Sequence, residues 1–161
     1  MKLRANFYAV IVASFLCASA RADWTNSLKP RGKLAGQVKV VKTGKPQGGI
    51  QLPERPTPLE TNAAVELQHW IKELTGATLE IKAGKASRSR FAIRTDGSLG
   101  DEGYAIAVSR GQILLSGGKT RGVLNAVYAL LEEDLGWRFY ANDSIRLPKT
   151  NTLVIAPVAR R

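Results

Sequence analysis

The sequence predicts an α+β domain in which about seven short strands and two helices form one compact pair of layers. Two amphipathic stretches and one tight hairpin carry that expectation. The stretch Gly117–Tyr140 joins a glycine turn, a helix, a glycine stop and an aromatic strand. Within it Val123, Ala126, Val127, Leu130, Leu131 and Leu135 recur at helical spacing; Thr120 stands where an N-cap belongs, and Gly136 where a left-handed residue ends a helix. The other amphipathic stretch opens at Thr57-Pro58-Leu59-Glu60, a capping box with proline at the first helical position. Tyr104–Val108, Arg110-Gly111 and Gln112–Ser116 read as strand, two-residue reversal and returning strand.

Taken in order, residues 23–35 form a polar leader broken by Pro30 and Gly32, and the domain proper runs over residues 36–158. Val38 and Val40 alternate with Lys39 as in a half-buried strand, Gly44–Gly49 is a turn, and Ile50–Leu52 is a short strand ended by Pro53, Pro56 and Pro58. In the first helix Ala63, Ala64, Leu67, Trp70, Ile71 and Leu74 share a face and Gly76 stops it. Thr78–Lys82 and Arg90–Arg94 are strands, and Asp96-Gly97 with Gly100 turns the chain into the hairpin, where Tyr104, Ile106 and Val108 face the helices. Trp137–Tyr140 and Thr152–Ile155 complete the strand set.

The amino end has the form of a secretory signal over residues 1–22. Met1-Lys2-Leu3-Arg4 is basic, Phe7–Leu16 is apolar, and Ala18-Ser19-Ala20 or Ala20-Arg21-Ala22 offers a small-x-small cleavage site. The apolar run falls short of the roughly 18–20 residues a span needs, so a secreted or periplasmic protein with no stable membrane span after cleavage is expected. Cys17, the one cysteine, lies within that run, and Leu16 before it does not suit lipidation. The formal net charge is +11; cleavage after Ala22 removes Lys2, Arg4 and Arg21 and no acid, leaving +8. Such a balance favours an anionic partner, an acidic polysaccharide or acidic protein before a nucleic acid, which export makes the poorest choice. Solubility alone is the competing reading.

Leu74-Thr75-Gly76-Ala77-Thr78-Leu79-Glu80-Ile81, then Gly103–Val108, Arg121–Glu132 and Leu135-Gly136-Trp137-Arg138-Phe139-Tyr140 together resemble the N-terminal accessory domain of α-glucuronidases and bacterial β-N-acetylhexosaminidases. The resemblance covers roughly residues 36–158. It implies a mixed sheet with two helices on one face, zincin-like without the metal centre, and a glycosidase catalytic domain or carbohydrate as partner. It also implies that the catalytic carboxylates belong to a following (β/α)8 barrel, so no catalytic residue is carried onto this chain. A free-standing binding domain and one piece of a longer enzyme both fit.

No cofactor, metal site or catalytic constellation is read from the residues themselves. A zinc helix needs His-Glu-x-x-His, and His69, the one histidine, is followed by Trp70-Ile71-Lys72-Glu73. Gly117-Gly118-Lys119-Thr120 imitates a phosphate loop, but Ile113 stands where its first glycine should be. Free amides at the helix start, beside Lys119 and Arg121, could still hold a carboxylate or sulfate; a plain turn and cap is the alternative. Arg88, Arg90 and Arg94, at even spacing on an extended segment, form a candidate anion or glycan stripe, against a merely solvated face. Glu132-Glu133-Asp134 point about 100° apart in turn and cannot face each other across a sugar, so they read as a structural cluster offset by Arg138. Trp70 and Trp137 are expected in the core, Trp24 is a possible stacking ring, and Asn142-Asp143-Ser144 is a glycosylation sequon only in a eukaryotic host.

Overall fold

Strand parity decides the architecture. Ile50 and Leu52, Phe91 and Ile93, and Ile113 and Leu115 each alternate with a less buried residue (Gln51, Ala92 and Leu114), and all six are buried. Backbone pairing aligns them into apolar rows: Ile50 opposes Phe91, which opposes Ile113, and Ile93 opposes Leu115, which opposes Ile106. A helix layer covers these rows.

The computed structural model describes residues 36–86, 88–141, 144–146, 148–157 and 159–160. The expected signal segment, the leader with Trp24, and Asn142 and Asp143 of the sequon lie outside them. The elements are β1 (Val38–Lys42), β2 (Lys45–Pro46), β3 (Gly49–Leu52), α1 (Pro58–Thr75), β4 (Ile81–Ala83), β5 (Ser89–Thr95), β6 (Tyr104–Ser109), β7 (Gln112–Gly117), α2 (Gly122–Ala129), β8 (Arg138–Ala141), β9 (Ser144–Arg146), β10 (Leu153–Ile155) and β11 (Ala159–Arg160). The main sheet has the order β11-β6-β7-β5-β3-β4. Strands β3, β4, β5 and β7 run parallel, whereas β6 and β11 pair antiparallel, so the sheet is mixed and the class is α+β as the sequence predicts. Helix α1 lies over β3, β4 and β5 and helix α2 over β5, β6 and β7. Two small sheets, β10-β1-β2 and β8-β9, stand apart from it.

Several local expectations are corrected. The turn expected at Gly44–Gly49 is instead a two-residue reversal at Thr43 (φ 50°) and Gly44 (φ 71°), after which Lys45-Pro46 pairs back with β1. Strict alternation in β1 breaks because a bulge against β10 follows Lys39, leaving Val38, Val40 and Val41 all buried. The strand expected at Thr78–Lys82 contracts to Ile81–Ala83, since the buried Ala77 and Leu79 pack as irregular chain. The second helix does not run regularly to Leu135. It becomes π-helical over Leu130–Asp134, with the Leu135 amide donating to the Leu130 carbonyl, and Gly136 (φ 72°) then reverses the chain.

Helix α1 starts as its capping box dictates. The Glu60 amide donates to Thr57 Oγ1 (3.2 Å), while the Thr57 amide donates to Glu60 Oε2 (2.8 Å). The same carboxylate does a second job: the Thr95 amide, at the end of β5, donates to Oε1 at 2.6 Å. Glu60 is only 3% exposed, and this bond ties the helix start to a strand 35 residues away. Burial pushes its pKa up, but the hydrogen bonds from Thr57 and Thr95 outweigh it and hold the group below the ordinary 4.5.

Two predictions follow from this packing. Leu130 is fully buried, and Leu130→Ala is expected to lower unfolding free energy by about 2–5 kcal/mol in denaturant titration. For Glu60 the unfolded state binds more protons than the folded one as pH falls through the carboxylate range. Its contribution is therefore complete above about pH 4.5 and lost as pH falls through the depressed folded value. Stability curves of wild type and Glu60→Gln should converge on acidification below that pH; curves that stay parallel would show the carboxylate charge to be irrelevant.

Candidate functional site

The expected site residues occupy two regions. Lys119 and Arg121 lie at the corner where β7 turns into α2. Its geometry follows from glycines: a Cβ on Gly118 would sit 1.8 Å from the Gly100 carbonyl oxygen, and one on Gly122 would sit 2.2 Å from that of Gly103. The corner is thus backbone packed on backbone. Three of its amides are already engaged. Gly118 N–H donates to the Gly103 carbonyl (2.8 Å), and the Thr120 and Arg121 amides both donate to the Asp101 carbonyl (3.0 and 3.3 Å).

This corrects one expectation. Arg121, not Thr120, holds the N-cap position, and no side chain caps α2. The amides of Thr120 and Arg121, just before the helix, are taken by a neighbouring loop. The side chains of Lys119 and Arg121 remain exposed, with the Lys119 aliphatic stem against Gly97.

Arg88, Arg90 and Arg94 do not form the expected stripe. Gly49 pairs with Ser89 but Ile50 pairs with Phe91, so Arg90 is an inserted bulge residue and even spacing no longer means one face. Arg88 precedes the strand. Arg90 reaches sideways, its Nη1 donating to the Gly111 carbonyl at 3.2 Å, and its Nε is buried without a partner among the described residues. Arg94 is exposed on the sheet face opposite the helices, where its Nε donates to Ser116 Oγ (3.3 Å).

That face also carries a polar cluster that sequence reasoning missed. Ser89 Oγ donates to Gln51 Oε1 (3.0 Å), Gln112 Nε2 donates to Ser89 Oγ and to Gln51 Oε1 (3.3 Å), and Gln51 Nε2 donates to the Gly84 carbonyl (2.8 Å). Each residue comes from a different strand. The visible signal was the polar parity of Gln51 and Gln112 against their buried neighbours; the register that unites them with Ser89 was not visible.

On the helix layer an aromatic cluster joins α1 to α2. Trp70 meets Trp137 edge-on at 5.1 Å, and Tyr128 stacks on Trp137 at 5.8 Å. Glu66 accepts from Trp70 Nε1 (3.1 Å) and Tyr128 Oη (3.2 Å), while the His69 ring lies 4.9 Å from Trp70. Burial and the Glu66 charge raise the Tyr128 pKa. Trp137 is core, as expected; Trp70 is half-buried at its edge. Arg138 donates to the carbonyls of Glu132 (2.5 Å) and Trp137 (3.0 Å), answering the negative end of the helix at its backbone. Among the described residues no cluster of His, Cys, Asp and Glu is placed to hold a metal ion, and no helix is long and apolar enough to cross a membrane.

The family profile of glycosyl hydrolase family 20, domain 2, matches residues 35–132. The chain belongs to that domain family. Domain 2 of that family is the non-catalytic accessory domain of these glycoside hydrolases. Similar solved structures include a GH20 exo-β-N-acetylglucosaminidase from Vibrio harveyi (TM-score 0.52, 17% identity, 78% of this chain and 16% of that one). A GH20 β-N-acetylhexosaminidase from Streptomyces coelicolor A3(2) gives 0.49, 19%, 63% and 19%, and a GH115 4-O-methyl-α-glucuronidase gives 0.48, 15%, 61% and 14%. The Vibrio harveyi likeness supports the fold. No curated protein matches the chain. The domain-2 chain spans less than a quarter of each of these enzymes.

The glycine corner yields a prediction. Gly118→Ala must displace backbone rather than a flexible side chain and is expected to cost on the order of 1–3 kcal/mol or more. A thermal midpoint equal to wild type would show that the corner is looser than this geometry.

Proposed function

We propose that this domain supports a glycoside hydrolase catalytic barrel rather than performing hydrolysis itself, and that it works after export. The observation that carries this reading is the match of residues 35–132 to domain 2 of family 20. The helix layer supplies a plausible docking side: Val65, half exposed, stands on the outward side of α1, and the partly buried Trp70, Leu124 and Tyr128 flank the helix pair. An apolar residue held outside a filled core is the kind of contact a neighbouring domain covers. The residue pattern of positions 1–22 supports export to the periplasm or medium.

The chain alone is expected to release no aglycone from aryl β-N-acetylhexosaminides or aryl α-glucuronides, and turnover abolished by replacing one of its own carboxylates would overturn the reading. With a family 20 barrel from the same source, Val65→Asp should weaken retention about tenfold at an unchanged thermal midpoint. Retention equal to wild type would remove the helix layer as the docking side.

A further inference from the structure

Among the described residues, both helices pack on one face of the main sheet and no helix packs on the other. Across the other face, register aligns Lys82, Gln51, Ala92, Leu114, Ala107 and Ala159 in one row and Arg94, Ser116 and Ala105 in the next. Two shallow depressions lie there. One is lined by Gln51, Ala92, Arg110 and Gln112, the other by Ala105, Ala107 and Ser116, and Arg94 and Leu114 line both. The result is a continuous trough with an apolar floor of alanines around Leu114.

Its polar groups are of two kinds. Arg94 uses only Nε within the protein, leaving both Nη groups without a partner among the described residues. Arg110, held at φ 51° in the β6–β7 reversal, has no hydrogen bond or ion pair to the described residues. Asp96, which lines the second depression, accepts from the Ser98 amide and hydroxyl, and Glu80 pairs with Lys82 at 3.1 Å. The trough therefore offers open guanidinium groups beside the Gln51–Ser89–Gln112 cluster, which carries both donors and acceptors.

Charge and shape select the occupant. Guanidinium forks match carboxylates bidentately. Among the described residues no aromatic side chain lines the trough, so these residues offer neither the anchor that a protein partner typically uses nor a stacking platform for a neutral sugar. Amide and hydroxyl groups beside a small apolar floor suit hydroxyl-bearing rings with a C–H face. Arg94 is level with Ser116, and Gln112 lies four residues before Ser116 on β7, about 13 Å along the strand. That reach calls for an oligomer.

We propose that the uncovered sheet face binds an acidic polysaccharide of the uronate class, with Arg94 and Arg110 taking carboxylates and Gln51, Ser89 and Gln112 addressing hydroxyls over Ala92, Leu114 and Ala107. This site is independent of barrel docking, which uses the opposite layer.

Binding of an oligogalacturonate to the chain is measured by calorimetry at low and physiological salt, with amide shift mapping by NMR. Shifts should concentrate on β5, β7 and the β6–β7 reversal. Arg94→Gln with Arg110→Gln is expected to raise Kd at least about tenfold, whereas Lys119→Gln with Arg121→Gln should change it less than about twofold. Ala107→Trp fills the floor without altering charge and should abolish binding. Equal losses in the two double variants, or full binding by Ala107→Trp, would reduce the effect to general electrostatics and overturn the site. Polyglutamate bound more tightly than oligogalacturonate through the same residues would overturn the ligand class in favour of an acidic protein. Val65→Asp should leave binding intact, so the failure of this site and of barrel docking are read separately.

Discussion

The rows Ile50–Phe91–Ile113 and Ile93–Leu115–Ile106 must be kept from water, and both helices are laid on the one face that carries them. The other features follow from this one-sided burial. It fixes the parity of every strand in the main sheet, because a one-residue slip would exchange the dry face for the wet one. It sets α1 and α2 side by side, so Trp70, Tyr128 and Trp137 meet between them. It also leaves a second face where small and polar residues surround Leu114, a surface on which a ligand could lie flat.

Two devices hold the layers in place at their ends. Glu60 is a capping residue whose second oxygen is claimed by Thr95, so one buried carboxylate fixes both where α1 begins and how far β5 extends. At the other helix, glycines at 118 and 122 let two loops touch through their backbones, and the Asp101 carbonyl takes the Thr120 and Arg121 amides just before the helix begins. The first device uses a charge in place of solvent, the second uses the absence of side chains. Both fit a supporting domain: they buy rigidity without leaving a reactive group exposed.

Membership of the family 20 domain-2 family and the layered fold agree about kind and leave chemistry to the site. The basic character read from composition acquires a setting on the sheet face away from the helices, where Arg94 and Arg110 stand beside amide side chains and make no ion pair to a described residue. Lys119 and Arg121 share the charge in a different setting, where the Thr120 and Arg121 amides are already bonded.

The sequence by itself determined that two helices form and which residues they turn to the core, the capping box of the first, the Arg110-Gly111 reversal and the side of β6 that carries Ile106 inward, because each depends on neighbours within a few positions. It also carried the resemblance to the accessory domain. Tertiary structure alone decided that Ser89–Arg90 form a bulge, that Glu60 reaches Thr95, that Asp101 replaces Thr120 at α2, and that Gln51, Ser89 and Gln112 meet. Those outcomes depend on which strand lies beside which and in what register. Register is set by the cooperative burial of whole rows, a quantity that no local window of residues contains.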